Sequence, residues 1–170
     1  SIEQNIEFMS ETIDDFTTFY QPKETRTEED LKELVCKSLV FFKEAIREKN
    51  IEMNLSLEKI IVELYGNEFM QVIINLLENA IEATPSVNGK ISIVLYQAAQ
   101  EGIVLSVEDN GSGIEEDCIL KVFEPYYSTK EGSMGLGLYM CKMIVEKHLK
   151  GKITAEKLAS GTRFTLSIKR

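Results

Sequence analysis

Residues 68 to 83 constrain this chain more than any other stretch, because their pattern fits only a helix with one apolar face. Ile73, Ile74, Leu77, Ala80 and Ile81 recur at helical spacing and supply a core face. Asn75 and Asn79 are four apart, so both carboxamides project from one neighbouring stripe. Asparagine is a poor residue for a helix interior, since its side chain competes for backbone hydrogen bonds. Two in register ask for a reason. A carboxamide oxygen can ligate a hard cation, and its NH2 can donate to phosphate. On a helix standing alone, two solvent-facing asparagines would be the simpler reading.

The segments on either side supply the rest of a fold. Thr27-Glu28-Glu29-Asp30 reads as a capping box, with Thr27 as cap, opening a helix that runs to about Lys49. Ile51–Leu57 and Ile61–Leu64 alternate apolar and polar side chains and read as a hairpin-like strand pair. Pro85 to Gly89 is a turn. Strands follow at Ile91–Ala98 and Ile103–Glu108, a short helix near Glu115–Val122, a last helix at about Leu138–Leu149, and strands at Ile153–Leu158 and Arg163–Lys169. Strand pairs separated by helices predict an α+β two-layer sandwich, one mixed sheet covered by helices on one face. An N-terminal helix precedes it: Ile2, Ile6, Met9, Ile13, Phe16 and Tyr20 form a heptad seam with acids between them. That helix reads as a member of a bundle whose other helices lie elsewhere, or as one folded back on its own domain. Pro22 ends it.

Charge narrows the function classes. The formal charge is −9, and residues 1–30, with nine acids against two bases, hold most of the excess. A sequence pI near 4.8 argues against a nucleic-acid or anionic-membrane binder, which needs clustered Lys and Arg. The apolar runs are too short to cross a bilayer. Cys36, Cys118 and Cys141 are odd in number and far apart, which fits reduced thiols better than a disulfide framework or a metal site.

Two glycine-containing segments carry further chemistry. Glu108-Asp109-Asn110-Gly111-Ser112-Gly113 puts a carboxylate at a strand end, followed by glycines that let backbone approach a ligand. A buried carboxylate there could accept from an amino group such as an adenine N6; a plain Asp-Asn-Gly turn is the alternative. Gly132-Ser133-Met134-Gly135-Leu136-Gly137-Leu138 leads into a helix, where free N–H groups and the positive dipole end favour an anion. No Gly-Lys-Ser/Thr follows, so it is not a Walker A loop.

In chain order these blocks are Asn-x-x-x-Asn, Asp-x-Gly-x-Gly, Phe123-Glu124-Pro125-Tyr126, Gly-x-Gly-Leu and Gly161-Thr162. The sequence resembles the ATP-binding catalytic domain of bacterial sensor histidine kinases, within the GHKL ATPase superfamily, and the blocks resemble its N, G1, F, G2 and terminal GT motifs over about residues 31–170. The resemblance implies the Bergerat ATP-binding fold, with ATP and Mg²⁺ as cofactors. It implies Asn79 as the Mg²⁺ ligand, Asn75 as support for metal and phosphates, and Glu78 as an acidic member of the catalytic set. Asp109 would accept from the adenine amino group, with Gly111, Gly113 and Thr162 shaping that pocket. Gly135, Leu136, Gly137 and Leu138 would offer backbone N–H groups to the phosphates. Tyr126, Thr129 and Lys130 resemble a lid in which a Thr-Lys pair follows the F motif, with Lys130 reaching the phosphates. Hydrolysing relatives carry a glutamate where this chain has Asn75, which favours phosphoryl transfer over hydrolysis. Glu82 departs from the pattern, since many relatives are basic there.

The expected activity is transfer of the ATP γ-phosphoryl to a histidine. His148, the one histidine, is expected to sit at a helix C-terminus and favour its dipole rather than accept phosphate. The chain therefore reads as a fragment: residues 1–28 as the second helix of a dimerisation hairpin with its linker, residues 29–170 as the catalytic domain. Expected partners are the dimerisation and phosphoacceptor domain of the same kinase, a response regulator, and a second copy in a homodimeric parent. Neither nucleic acid nor direct membrane contact is expected, and the expected location is cytoplasmic, whether or not a parent is anchored in the inner membrane. The alternatives are an ATP-hydrolysing GHKL domain and a nucleotide-binding scaffold without transfer.

Overall fold

The computed structural model of the chain describes residues 25–128 and 135–169. The predicted N-terminal helix, its proline stop, and Thr129, Lys130 and Gly132 to Met134 of the predicted lid and glycine loop lie outside the described residues.

The elements are β1 (Thr27–Asp30), α1 (Leu31–Val40), α2 (Lys43–Glu48), β2 (Glu52–Leu57), β3 (Ile61–Leu64), α3 (Gly66–Ala83), β4 (Lys90–Ala98), β5 (Gly102–Asp109), a 3-10 turn at Glu116–Lys121, α4 (Gly137–Met143) continuing in a wider π turn at Ile144–His148, β6 (Gly151–Lys157) and β7 (Thr162–Ile168). Five strands form one mixed sheet in the order β2-β4-β5-β7-β6, with β2 parallel to β4 and every other pair antiparallel. Strict alternation on the central strands sends Ile91, Ile93 and Leu95, Ile103, Leu105 and Val107, and Phe164, Leu166 and Ile168 to one face. Register stacks them in rows: Ile93 opposite Val107 opposite Phe164, and Leu95 opposite Leu105 opposite Leu166. The opposite face is polar, and there Arg163 donates to Glu108 at 2.9 and 3.1 Å and to Glu156 at 3.1 Å.

On the apolar face lies α3, burying Phe69, Val72, Ile73, Leu76, Leu77, Ala80 and Ile81. The buried stripe is rotated slightly from the predicted one, since Ile74 sits at its edge while Val72 and Leu76 are fully enclosed. The helix stops because Thr84 precedes Pro85 and is extended. Its own last turn holds no base. Lys49, beyond α2, supplies one by donating to the carbonyls of Ile81 (2.6 Å) and Glu82 (3.4 Å).

Three local expectations are corrected. Thr27 to Asp30 is a strand, not a capping box, and the cap of α1 is Asp30, whose Oδ1 accepts from the Lys32 N–H at 3.0 Å. The helix expected to reach Lys49 turns at Phe41 and Phe42, which leaves Leu39, Phe42, Ala45 and Ile46 on the core and Val40 and Phe41 outside. The pair β2 and β3 is no hairpin: β2 joins the main sheet, while β3 pairs antiparallel with β1 in a separate two-stranded sheet. His148 stands in the last turn of its helical run, as expected, and its imidazole also has a distant partner: Nδ1 lies 2.7 Å from Oε1 of Glu68 in the first turn of α3.

That contact joins the end of the last helical run to the start of α3, and Glu68 is buried. Replacing His148 by alanine leaves a buried carboxylate without its imidazole neighbour. The expected loss in unfolding free energy is about 1–3 kcal/mol, read by urea denaturation; an unchanged midpoint would show that the pair holds nothing.

Candidate functional site

Three backbone segments converge where β5 ends. Asp109, its last residue, is buried, and its Oδ1 accepts from the Gly111 N–H at 2.8 Å. Gly111 runs so close to α3 that a Cβ on it would lie 2.2 Å from the Ala83 carbonyl oxygen. Gly161, with φ +100°, meets β5 from the other side: a Cβ there would lie 1.8 Å from the Asp109 carbonyl oxygen. Only glycine fits either position. Gly113 faces the Gly161 carbonyl, and Thr162, also buried, opens β7 beside them. Asp109, Gly111, Gly113 and Thr162 thus share one corner. Asn110 fastens it to the loop before β4, its Oδ1 accepting from the Lys90 N–H (2.7 Å) and its Nδ2 donating to the Asn88 carbonyl (2.8 Å).

A second convergence lies nearer the start of α3. Gly137 opens α4 directly against Asn75, whose Oδ1 is 3.6 Å from where a Gly137 Cβ would stand. The first turn of α4 has no side-chain cap, Leu136 stands at the cap position, and Leu138 packs on the core. Gly135 backs onto the Tyr127 carbonyl, which ties this turn to the segment after Phe123. Tyr126 is exposed with φ 65°, and the neighbouring Cys118 side chain pushes the Tyr127 phenol up.

The distance between the two convergences is set by α3. Asn75 and Ala83 are eight residues apart, about 12 Å along the axis, with Asn79 midway. One stripe of α3 therefore runs from the start of α4 to the Asp109 corner. Asn75 and Asn79 are both half-buried on it, while Glu78 and Glu82 are exposed beside it. Thr129 and Lys130 lie outside the described residues. Among the described residues no group of three or more His, Cys, Asp or Glu side chains could hold a metal ion. What the stripe offers is carboxamide oxygen. That suits Mg²⁺, which keeps several waters and takes its other ligands from phosphate.

Two residues of the site escape the motifs. Asn110 was hidden in an ordinary turn sequence. Cys141 is fully buried, its Sγ 3.9 Å from the Val72 carbonyl oxygen. Its position four residues after Gly137, hence on the same helix face, is the signal that could have found it. The three cysteines are free thiols, and no helix among the described residues is long and apolar enough to cross a membrane.

The profile of the histidine kinase-, DNA gyrase B- and HSP90-like ATPases matches residues 65–170, from the cap of α3 through β7. The chain belongs to that family. Sporulation kinase E of Bacillus subtilis is 37% identical over 122 residues, 70% of this chain and 16% of that protein. The histidine-protein kinase AtoS of Escherichia coli is 29% identical over 167 residues, 96% of this chain and 27% of that protein. The catalytic domain of histidine kinase ThkA superposes with a TM-score of 0.78 at 37% identity, covering 85% of this chain and 95% of that one. A second ThkA structure, in complex with the response regulator TrrA, gives 0.79 at 34% identity over 98% of this chain and 49% of that one. The chain spans 15 to 29% of the length of eight such curated relatives. Its fold is the α+β sandwich of the histidine kinase catalytic domains, and it is an ATP-binding catalytic domain of that type.

Burial of Cys141 raises its thiol from 9.0 to about 12. The folded state therefore keeps a proton that the unfolded chain releases first. This contribution to stability is complete below pH 9 and is lost as the pH rises toward 12. Relative to Cys141→Ser, the wild type is expected to lose unfolding free energy across that window. A difference that is flat or grows with pH would contradict it.

Proposed function

We propose that this domain binds Mg·ATP along the α3 stripe and donates the γ-phosphoryl to a histidine on a neighbouring dimerisation helix. A response-regulator aspartate is then the next acceptor, and the parent kinase works as a homodimer. The domain boundary falls near residue 28, between hairpin helix and catalytic domain. The observation that carries this reading is Asn75, a neutral carboxamide set against the first residue of α4, where hydrolysing relatives carry a carboxylate base. With no general base at that position, attack by water is slow and the phosphoryl group is kept for transfer.

Each residue then has a task. Asp109, oriented by the Gly111 N–H, accepts from the adenine amino group while Gly113 and Thr162 wall the pocket. Gly135, Leu136, Gly137 and Leu138 direct backbone N–H groups at the phosphates, and Asn75 orients groups around them. Asn79 offers its carboxamide oxygen to Mg²⁺, which when bound neutralises phosphate charge. Tyr126, Thr129 and Lys130 are assigned to nucleotide contact, and Glu78 belongs to the face presented to the acceptor helix. The engagement of His148 with Glu68 supports an acceptor outside this domain.

The reading is tested by mixing the chain with Mg·ATP and an acceptor helix hairpin and assaying acid-labile phosphohistidine. Label on the hairpin supports it; steady ATP hydrolysis without label would favour the hydrolysing alternative, and binding with neither would leave a scaffold. Asn79→Asp is expected to weaken Mg·ATP binding in calorimetry, and equal affinity would remove Asn79 from the metal site. Asp109→Asn should cost about 1–3 kcal/mol of ATP affinity. Equal affinity of the wild type for ATP and GTP would reject the adenine contact.

A further inference from the structure

The polar face of the sheet carries an ion network directly behind the Asp109 corner, and none of the ordered motifs accounts for it. Arg163 of β7 donates from Nε (3.1 Å) and Nη2 (2.9 Å) to Oε2 of Glu108 on β5. Its Nη1 donates to Oε2 of Glu156 on β6 at 3.1 Å. Glu108 and Glu156 are the register partners of Arg163 on its two sides, so one planar guanidinium spans three strands. All three side chains are more than a third exposed, and ion pairs that open to water add little to global stability. The placement of the network says more than its strength.

Side chains alternate along a strand, so each member of the network adjoins a residue that faces the other way. Asp109 follows Glu108 and Thr162 precedes Arg163, and both are buried in the corner. Lys157 follows Glu156, and its Cγ lies 3.7 Å from where a Gly113 Cβ would stand. The register between β5 and β7 runs from Ile103 opposite Ile168 to Glu108 opposite Arg163 and ends there. Asp109 and Thr162 lie one step past that last rung, so the ladder itself does not tie them to each other. We propose that Arg163 is a positioning residue for adenine: through Glu108 and Glu156 it holds Asp109, Thr162 and the Gly113 turn at the spacing the base requires. The inference rests on the reading of this corner as the adenine pocket. Without the bridge the three strand ends loosen, and the nucleotide must order them itself on binding.

Two half-ligands separate this role from a general support of the fold. Adenosine carries the base without phosphate, and tripolyphosphate with Mg²⁺ carries the phosphates without the base; each is titrated into the whole chain by calorimetry. Arg163→Met keeps an apolar stem and removes the fork. We expect it to weaken adenosine binding by about two- to fivefold, the factor a partly exposed ion network can supply, and to leave tripolyphosphate binding as in the wild type. Arg163→Lys keeps the charge but lacks the planar fork that bridges both carboxylates, and should recover only part of the loss. Adding Glu108→Gln to Arg163→Met should cost nothing further. As salt is raised, the adenosine affinities of wild type and Arg163→Met should converge, since screening weakens the bridge in the wild type alone.

The outcomes are distinct. If Arg163→Met binds adenosine as tightly as the wild type while Asp109→Asn does not, the positioning role is overturned and the adenine pocket stands. An equal loss for adenosine and tripolyphosphate marks a general loosening and overturns the role as well. If Asp109→Asn binds adenosine as the wild type does, the reading of the pocket fails and this inference falls with it. Should Arg163→Met not fold, Glu108→Gln alone takes its place, and undiminished adenosine affinity there decides against the proposal.

Discussion

The Asp109 carbonyl oxygen occupies the place where any residue but glycine at 161 would put its Cβ, and Gly111 sits as tightly on the Ala83 carbonyl. Backbone packed on backbone leaves no soft side chain to absorb a shift. The end of α3, the end of β5 and the turn before β7 are therefore locked to one another, and Asn110 adds the loop before β4. Everything else in the site is measured from this corner. Because α3 is rigid and its apolar face is seated on the sheet, fixing Ala83 also fixes Asn79 and Asn75, and through Asn75 the start of α4.

The sequence was informative wherever a period repeats for long enough. The central strands and α3 bury one side chain in two, or one face in a helical turn, and their positions follow from that alternation. Alternation says that a segment is a strand but not which strand it pairs with, so β2 and β3 were read as neighbours although neither touches the other in the sheets. β1 had no signal at all. Its four residues are Thr-Glu-Glu-Asp, acidic on both faces, and they are a strand only because β3 offers a partner. The turn at Phe41 contains neither glycine nor proline and is imposed by the core. In the site, the ordered motifs pointed to residues the structure does gather around α3. The pairing of His148 with Glu68, eighty residues apart, has no spacing that could announce it.

A net charge of −9 conceals how such a domain can hold a polyanion. The described groups along the α3 stripe are two carboxamides and glycine backbone, with one buried carboxylate at its far end. Neutral dipoles fixed in place lose nothing to reorganisation when charge arrives, and they demand a particular geometry in return. The site's selectivity then depends on orientation rather than on the quantity of positive charge.

The strand order has a consequence for how the molecule comes into being. β5 lies between β4 and β7, and β7 is formed by residues 162–168. While a ribosome is still making residues before these, β5 has one neighbour and one bare edge, an exposed ladder able to pair with another nascent chain. The contact of Gly161 with Asp109 arises in the same event that covers that edge. A nucleotide can thus find its complete pocket only in chains whose sheet is already closed, so ligand binding selects finished molecules from unfinished ones.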